Sequence, residues 1–425
     1  MKYEAMKDSG IEWIGNIPAS WKTHTLYQLV TQVKNKNSDL SEQNLLSLSY
    51  GKIKRKDINS NGGLLPESFN GYNIIEDGDI VLRLTDLQND HTSLRVGRAT
   101  ERGIITSAYT TLRPINKECS KYLYYLLHSF DIKKGFYGMG SGVRQGLNYD
   151  EVKELRVVIP PQNEQSAIAE YLDNQCAKID TLIEEVKNCI DEYKKWKRAV
   201  IFEAVTKGLS PTNNFKDSQV TWIGRIPSNW SIHRIKMNYS IISGNGFAPK
   251  LQGLTEGELP VCKASDISAA DKVLLYAANY ISYETAIENK FNIIPAGSII
   301  FAKIGEAMKK NNRAICSTKC CIDNNCQALV PNDIDTNYSY YLLSCIDMVW
   351  FDNAGTIPCI SNQKLKDCRI PYPDPSEQKI IATYLDNKCA KIDTLIHEKL
   401  ELIMDLEQFK CALIYETVTG KRKVV

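Results

Sequence analysis

The sequence predicts a mixed α+β fold. Two similar globular domains are expected, separated by two long antiparallel coiled-coil helices, with an internal pseudo-two-fold repeat. Three observations predict this: a short motif occurs twice, an amphipathic helical stretch occurs twice, and each motif–helix pair encloses a body of β-rich runs and short helices. The chain has 425 residues, enough for two such cores.

The motif comes first. Lys7-Asp8-Ser9 leads into Trp13-Ile14-Gly15, Ile17-Pro18 and Trp21, and 209 residues later Lys216-Asp217-Ser218 leads into Trp222-Ile223-Gly224, Ile226-Pro227 and Trp230. The bodies follow, at about 22–158 and 231–370. Glu76-Asp77-Gly78-Asp79-Ile80-Val81-Leu82 is echoed by Pro295-Ala296-Gly297-Ser298-Ile299-Ile300-Phe301, each a tight turn before a buried strand. Leu45–Lys54, Ile80–Leu84 and Ser298–Ile304 read as β-rich runs, and 121–129 and 337–345 as packed helices. Gly142 matches Gly355, while Arg144-Gln145 stands where the second copy has Ile357-Pro358. The ends of the bodies agree and their middles do not.

The helices close each unit. Leu172, Cys176, Ile179, Ile183, Val186 and Ile190 recur in alternating steps of four and three, a heptad seam. Leu385, Cys389, Ile392, Ile396, Ile403 and Leu406 form its copy, interrupted by Lys399. Pro160-Pro161 and Pro373-Asp374-Pro375 stand where proline is tolerated, just before a helix starts. The regular seam and the duplication favour burial of the seams against each other; the alternative is that each helix packs on its own body. The resulting division is 1–158 and 210–372 for the domains with their motifs, and 159–209 and 373–425 for the helices.

Composition excludes more than it asserts. A net charge of +2 rules out a strong global pull on polyanions, so any such contact must come from local clusters. Met1-Lys2-Tyr3-Glu4 does not begin a signal peptide, and no run of about 18 apolar residues indicates a membrane span. Thirteen scattered cysteines fit reduced thiols in a cytoplasmic protein. Catalytic motifs are missing. Gly244-Asn245-Gly246 is not a phosphate-binding loop, no Asn/Asp-Pro-Pro-aromatic tetrad occurs, and the five histidines form no triad or metal pattern. Cys316, Cys320, Cys321 and Cys326 are too irregularly spaced for zinc knuckles and read as ordinary thiols, so no metal is expected.

Basic clusters are present. The first body (22–158) holds 19 Lys and Arg against 15 Asp and Glu, a net of +4. The nucleic-acid candidates there are Lys52, Lys54, Arg55 and Lys56, then Arg95, Arg98 and Arg102, then Arg144 and Gln145. The second body offers Lys303, Lys309, Lys310, Asn312 and Arg313. Lys and Arg neutralise phosphates, while Arg, Asn and Gln also pair with base edges. Tyr50, Tyr109 and Phe247 lie near the clusters and read first as core residues, with stacking or wedging as the alternative.

The whole pattern resembles the specificity subunits of type I restriction–modification systems. The resemblance rests on Trp13-Ile14-Gly15-x-Ile17-Pro18-x-x-Trp21 and its copy at 222–230. Pro160-Pro161-x-x-Glu164-Gln165 with Ile168-Ala169 and Leu172-Asp173 carries it too, as does the copy at 373–386. Glu203-Ala204-Val205-Thr206-Lys207-Gly208 and Glu416-Thr417-Val418-Thr419-Gly420-Lys421 complete it. It implies two target recognition domains that each read half of a bipartite double-stranded DNA sequence, with helices that fix the spacing. It implies no catalysis in this chain and two methylation subunits as partners, which bring S-adenosylmethionine. Restriction subunits bring ATP and Mg. It also implies that the N-terminal motif packs near the end of the C-terminal helix. The rival readings are a coiled-coil interaction scaffold and a non-catalytic remnant of a fused restriction–methylation enzyme.

Overall fold

The computed structural model describes residues 3–424 except 59–65, 67, 88, 89, 91, 140–145 and 211–213. Two compact units divide the chain, residues 1–187 with 400–425 and residues 188–399. The boundary falls inside both long helices, Gln162–Lys207 and Pro375–Val418.

In the first unit, strands Val30–Gln32, Thr110–Pro114, Ile80–Leu82 and Val96–Arg98 form an antiparallel sheet in that order. Ile80, Val81 and Leu82 are wholly buried, as an apolar run at the centre of a sheet must be. Helix Ser120–Ile132 presses Leu123, Leu127 and Phe130 onto Ile80, Leu82, Val96 and Leu112. A hairpin, Leu46–Ser49 with Lys52–Arg55, packs Leu48 and Ile53 onto Gly97, where a Cβ would fall 2.5 Å from Leu48. The β-rich run expected over Leu45–Lys54 is this pair of strands. Tyr50 and Gly51 both take left-handed φ, 47° and 75°, and form the two-residue turn that splits it. Tyr50, expected in the core, is 79% exposed at that turn.

The second unit repeats the sheet as Tyr239–Ser243, Cys326–Pro331, Ile299–Ala302 and Arg313–Cys316, with Val273–Leu274 added in parallel at the edge. Helix Thr336–Ser344 covers it. The turns before the central strands need glycine in both copies, with φ of 98° at Gly78 and 81° at Gly297. Cys316 and Cys320, with sulfurs 3.3 Å apart, lie in this unit's core beside Cys262. All are free thiols. No group among the described residues could hold a metal ion.

The repeated segments tie each body to the helices. Trp21 is buried and its indole Nε1 donates to Glu164 Oε2 at 2.9 Å; Trp230 donates to Glu377 Oε2, also at 2.9 Å. The amides of Gln165 and Gln378 close on the carbonyls of Pro160 and Pro373. The N-terminal motif meets the far end of the second helix, as the resemblance implied. The Tyr415 hydroxyl donates to Trp13 O, Lys421 Nζ to Ile14 O, and the Tyr122 hydroxyl lies 3.0 Å from both Val158 O and Val418 O. The second unit mirrors this, Tyr338 facing Pro371 O and Val205 O.

Within each unit the helical segments run antiparallel. In the first, Glu164 lies by the Trp21–Gly420 contact and Asp180 pairs with Lys410 at 2.5 Å. In the second, Glu377 lies against Gly208 and Asp393 pairs with Lys197 at 2.7 Å. The two ion pairs are copies of each other, each partner displaced by 213 residues. Leu172, Cys176, Ile179, Ile183, Ile190, Leu385, Cys389 and Ile392 are buried. Val186, Ile396, Ile403 and Leu406 are half-buried, because a two-helix seam covers only one stripe.

Two predictions follow from this packing. Gly420 ends the second helix at φ 71°, and a Cβ there would sit 2.2 Å from Pro18 and 3.4 Å from Trp21; Gly15 has φ 69° with nothing within 4 Å. Gly15→Ala is expected to cost about 1 kcal/mol from backbone strain alone, and Gly420→Ala clearly more. Urea midpoints of the two variants check the order. His128 is buried with its Nδ1 unpaired, and burial, with Lys410 adding to it, pushes its pKa down to about 4. The unfolded chain therefore takes up this proton more readily. Its contribution to stability is present above pH ~6.5 and lost as the pH falls toward 4, up to about 3 kcal/mol. Asp131, raised by burial to about 6, acts in the opposite sense, its contribution being lost as the pH rises. Between pH 7 and 4.5, His128→Phe should lose less of its urea midpoint than the natural chain. An equal loss contradicts the assignment.

Candidate nucleic-acid interface

Local structure decides which of the basic residues can meet a polyanion. On the hairpin, Ser47 lies opposite Lys54 and Ser49 opposite Lys52, so these four share one face while Leu48 and Ile53 turn to the core. Lys54 and Lys56 are exposed. Lys52 is exposed too, 3.4 Å from Asp180. Arg55 is tied to Glu101 by Nε at 2.9 Å and Nη2 at 2.5 Å, and this partner holds the Glu101 carboxyl below its usual range.

The other candidate arginines among the described residues of the first body are engaged. Arg98 donates to Ser120 Oγ at 2.9 Å and lies 3.3 Å from Asp77. Arg102 bridges Glu42 and Glu76 at 2.9 and 2.8 Å. Arg95 is a correction, since it has no exposed surface and its guanidinium is spent on backbone carbonyls and the Tyr137 hydroxyl. Arg144 and Gln145 lie outside the described residues.

In the second body Lys303, Lys309, Lys310 and Asn312 fall on one connection, between strands Ile299–Ala302 and Arg313–Cys316, and Arg313 opens the second of these strands. Lys309 and Lys310 are exposed, with Lys309 2.6 Å from Glu306. Lys303 is half-buried, and Asn312 donates to Ser268 Oγ at 3.0 Å. Arg313 is the second correction. It is buried and holds carbonyl oxygens, and burial pushes its pKa down to about 10. Of the aromatics, Tyr109 and Phe247 pack as expected, Phe247 against Phe291 with rings 4.3 Å apart.

Sequence reasoning missed two features. Tyr276 is 80% exposed beside the exposed Leu275, although nothing in the local pattern distinguishes them from core residues. The second is a loop pairing common to both bodies. Leu147 N donates to Leu84 O at 2.9 Å, and Ile360 N donates to Lys303 O at 3.0 Å. The Gly142/Gly355 echo marked one of the paired loops, but pattern alone did not connect it to the other.

The chemistry on offer is recognition. Exposed lysines and the half-buried Ser47 and Ser49 beside them can meet phosphates and base edges. No helix among the described residues is long and apolar enough to cross a membrane.

Comparison with known proteins agrees. The MjaX type I restriction enzyme specificity subunit assigned in Methanocaldococcus jannaschii is 24% identical, over 97% of this chain and 96% of that one. The MjaVIII specificity subunit of the same organism is also 24% identical, over 76% and 75%. The EcoDI specificity subunit of Escherichia coli is 23% identical, over 65% and 64%. Among solved structures, a chain from a study of complex assembly and conformational transition of the type I restriction–modification system superposes with a TM-score of 0.70 at 15% identity, over 95% of this chain and 98% of that one. The HsdS subunit from Thermoanaerobacter tengcongensis gives 0.50 at 14% identity, over 96% and 98%. These superpositions establish the fold. Residues 18–192 and 227–404 each match the type I restriction modification DNA specificity domain, and the chain, carrying that domain twice, belongs to the family of type I specificity subunits.

Proposed function

We propose that each body reads one half of a bipartite double-stranded DNA sequence, and that the paired helices fix the spacing and dock two methylation subunits. The observation that carries this reading is the contrast between frame and loops. The strand order, the Trp–Glu ties and the helix ion pairs occur twice. The connections from Leu82 to Val96 and from Ala302 to Arg313 differ in length and charge. One scaffold with two different surfaces suits a target with two different halves.

The chain itself recognises and does not catalyse. S-adenosylmethionine belongs to the methylation subunits, and ATP with Mg to restriction subunits that join the same cytoplasmic complex. With a net charge of +2, the chain alone grips DNA modestly and its partners complete the hold.

Methylome sequencing of a host carrying this chain and its methylation subunit tests the reading. A methylated motif of two short halves separated by a fixed gap is expected. Absence of any bipartite motif sinks the reading and leaves the scaffold alternative. Binding should weaken steeply with salt, as phosphate contacts release counterions; an affinity indifferent to salt argues against the lysines named above. Arg144→Ala should relax discrimination by about tenfold in one half-site only. Equal loss in both halves, or none, contradicts its assignment to a single body.

A further inference from the structure

Both bodies bury an arginine where one connection meets its return strand, Val96–Arg98 at a sheet edge in the first body and Arg313–Cys316 inside the sheet in the second. In the first body this connection runs from Arg83 to Leu94, between Ile80–Leu82 and Val96–Arg98. Arg95 Nη1 donates to the carbonyls of Arg83 at 3.1 Å and Thr85 at 2.7 Å. Its Nη2 donates to those of Asp86 at 3.3 Å and Asp90 at 2.5 Å, and its Nε to the Tyr137 hydroxyl at 2.9 Å. Its backbone N–H donates to Asp131 on helix Ser120–Ile132. Asp86 sits at φ 55°, a conformation unfavourable for a non-glycine residue, and its carbonyl is one of those held.

In the second body Arg313 opens the return strand. Its Nη2 donates to Asn311 O and Ile346 O, both at 3.2 Å. Asn311, at φ 57°, donates from its amide to Ile346 O and accepts from Met348 N. The connection is thereby fastened to the segment that follows helix Thr336–Ser344. By strand register Arg313 corresponds to Val96, one position beyond Arg95. From adjacent strand positions, each arginine binds at least one carbonyl of its own connection.

A buried guanidinium held by carbonyls is a costly way to stabilise a strand, and an apolar side chain would pack there with less desolvation. In the first body the guanidinium adds a fork of donors that fixes four loop carbonyls at once, and in the second its Nη2 alone ties Asn311 O of the connection to Ile346 O beyond it. In each body the connection it fixes is also the one hydrogen-bonded to the second loop, through Leu84 O and Lys303 O. In the second body it carries the exposed Lys309 and Lys310.

We propose that Arg95 and Arg313 are positioning residues for half-site discrimination. Each sets the shape of the loop through which its body distinguishes bases, so sequence preference depends on it more than overall grip on DNA. The proposal rests on the half-site reading given above.

The test uses the full chain, co-produced with its methylation subunit, carrying Arg95→Lys or Arg313→Lys. Lysine keeps the charge and removes the fork. Methylated motifs, affinity for non-specific DNA and thermal unfolding are measured together. Arg95→Lys should broaden one half of the motif, with discrimination falling about tenfold at one or more bases, and leave the other half intact. Arg313→Lys should do the converse. Non-specific affinity should stay within about twofold. A merely structural role lowers the melting temperature and methylation yield without changing either half, and that result overturns the proposal. So does one substitution degrading both halves. Where a lysine variant does not fold, Tyr137→Phe removes the acceptor of Arg95 Nε, Asn311→Ala removes the side-chain bonds that fasten the second connection to Ile346 and Met348, and each should give the same one-sided broadening; an unchanged motif counts against the proposal. A natural chain with no bipartite motif sinks the half-site reading and the proposal with it. A bipartite motif indifferent to all four substitutions sinks the proposal alone.

Discussion

A tryptophan buried against the first turn of a long helix is the constraint on which each unit is built. The indole supplies a large apolar surface, but its N–H must find an acceptor once it leaves water. Glu164 and Glu377 provide one, from helix starts where a carboxylate is also favoured by the helix dipole. That contact orients the helix against the motif. The chain must then end its other helix where the indole lies, and in both units it turns there on a left-handed glycine, at φ 71° for Gly420 and 72° for Gly208. The Cβ that Gly420 lacks would fall 3.4 Å from Trp21, and the one Gly208 lacks would fall 3.2 Å from Trp230. Three segments far apart in sequence are thereby joined at one point in each unit.

From that point the helices need a register. Apolar seam residues alone allow sliding by a heptad, since one seam position resembles the next. The charged pairs Asp180–Lys410 and Asp393–Lys197 distinguish one alignment from its neighbours. Each is partly exposed, and such pairs contribute little to stability, on the order of 1 kcal/mol or less. Their value lies in specifying which alignment forms. Repetition of the same pair in both units supports that role over incidental surface pairing.

The frame was legible in the sequence because repetition and periodicity are properties of the chain itself. Trp21, Glu164 and Gly420 each had a counterpart about 210 residues away, and the seam announced itself by its alternating steps. The candidate interface was less legible. Composition registers a charge but not its partner. Arg95 and Lys54 look alike as cations near glycine and β-rich runs, yet one is wholly buried and the other exposed. Tyr50 misled in the opposite direction. An aromatic within a strand-like run suggests a core residue, but a left-handed turn places it in solvent.

The sequence by itself therefore determined the mixed fold, the duplication, the two long helices and the family, because local periodicity and the recurrence of residue types need no third dimension to be read. Tertiary structure decided which cations face outward, which arginines are spent on loop carbonyls, and which two loops lie side by side in each body. Those outcomes depend on hydrogen bonds between residues distant in the chain, such as Leu147 to Leu84 and Ile360 to Lys303. Backbone carbonyls and amides are the same in every residue, so a pairing made through them leaves no mark in the order of side chains.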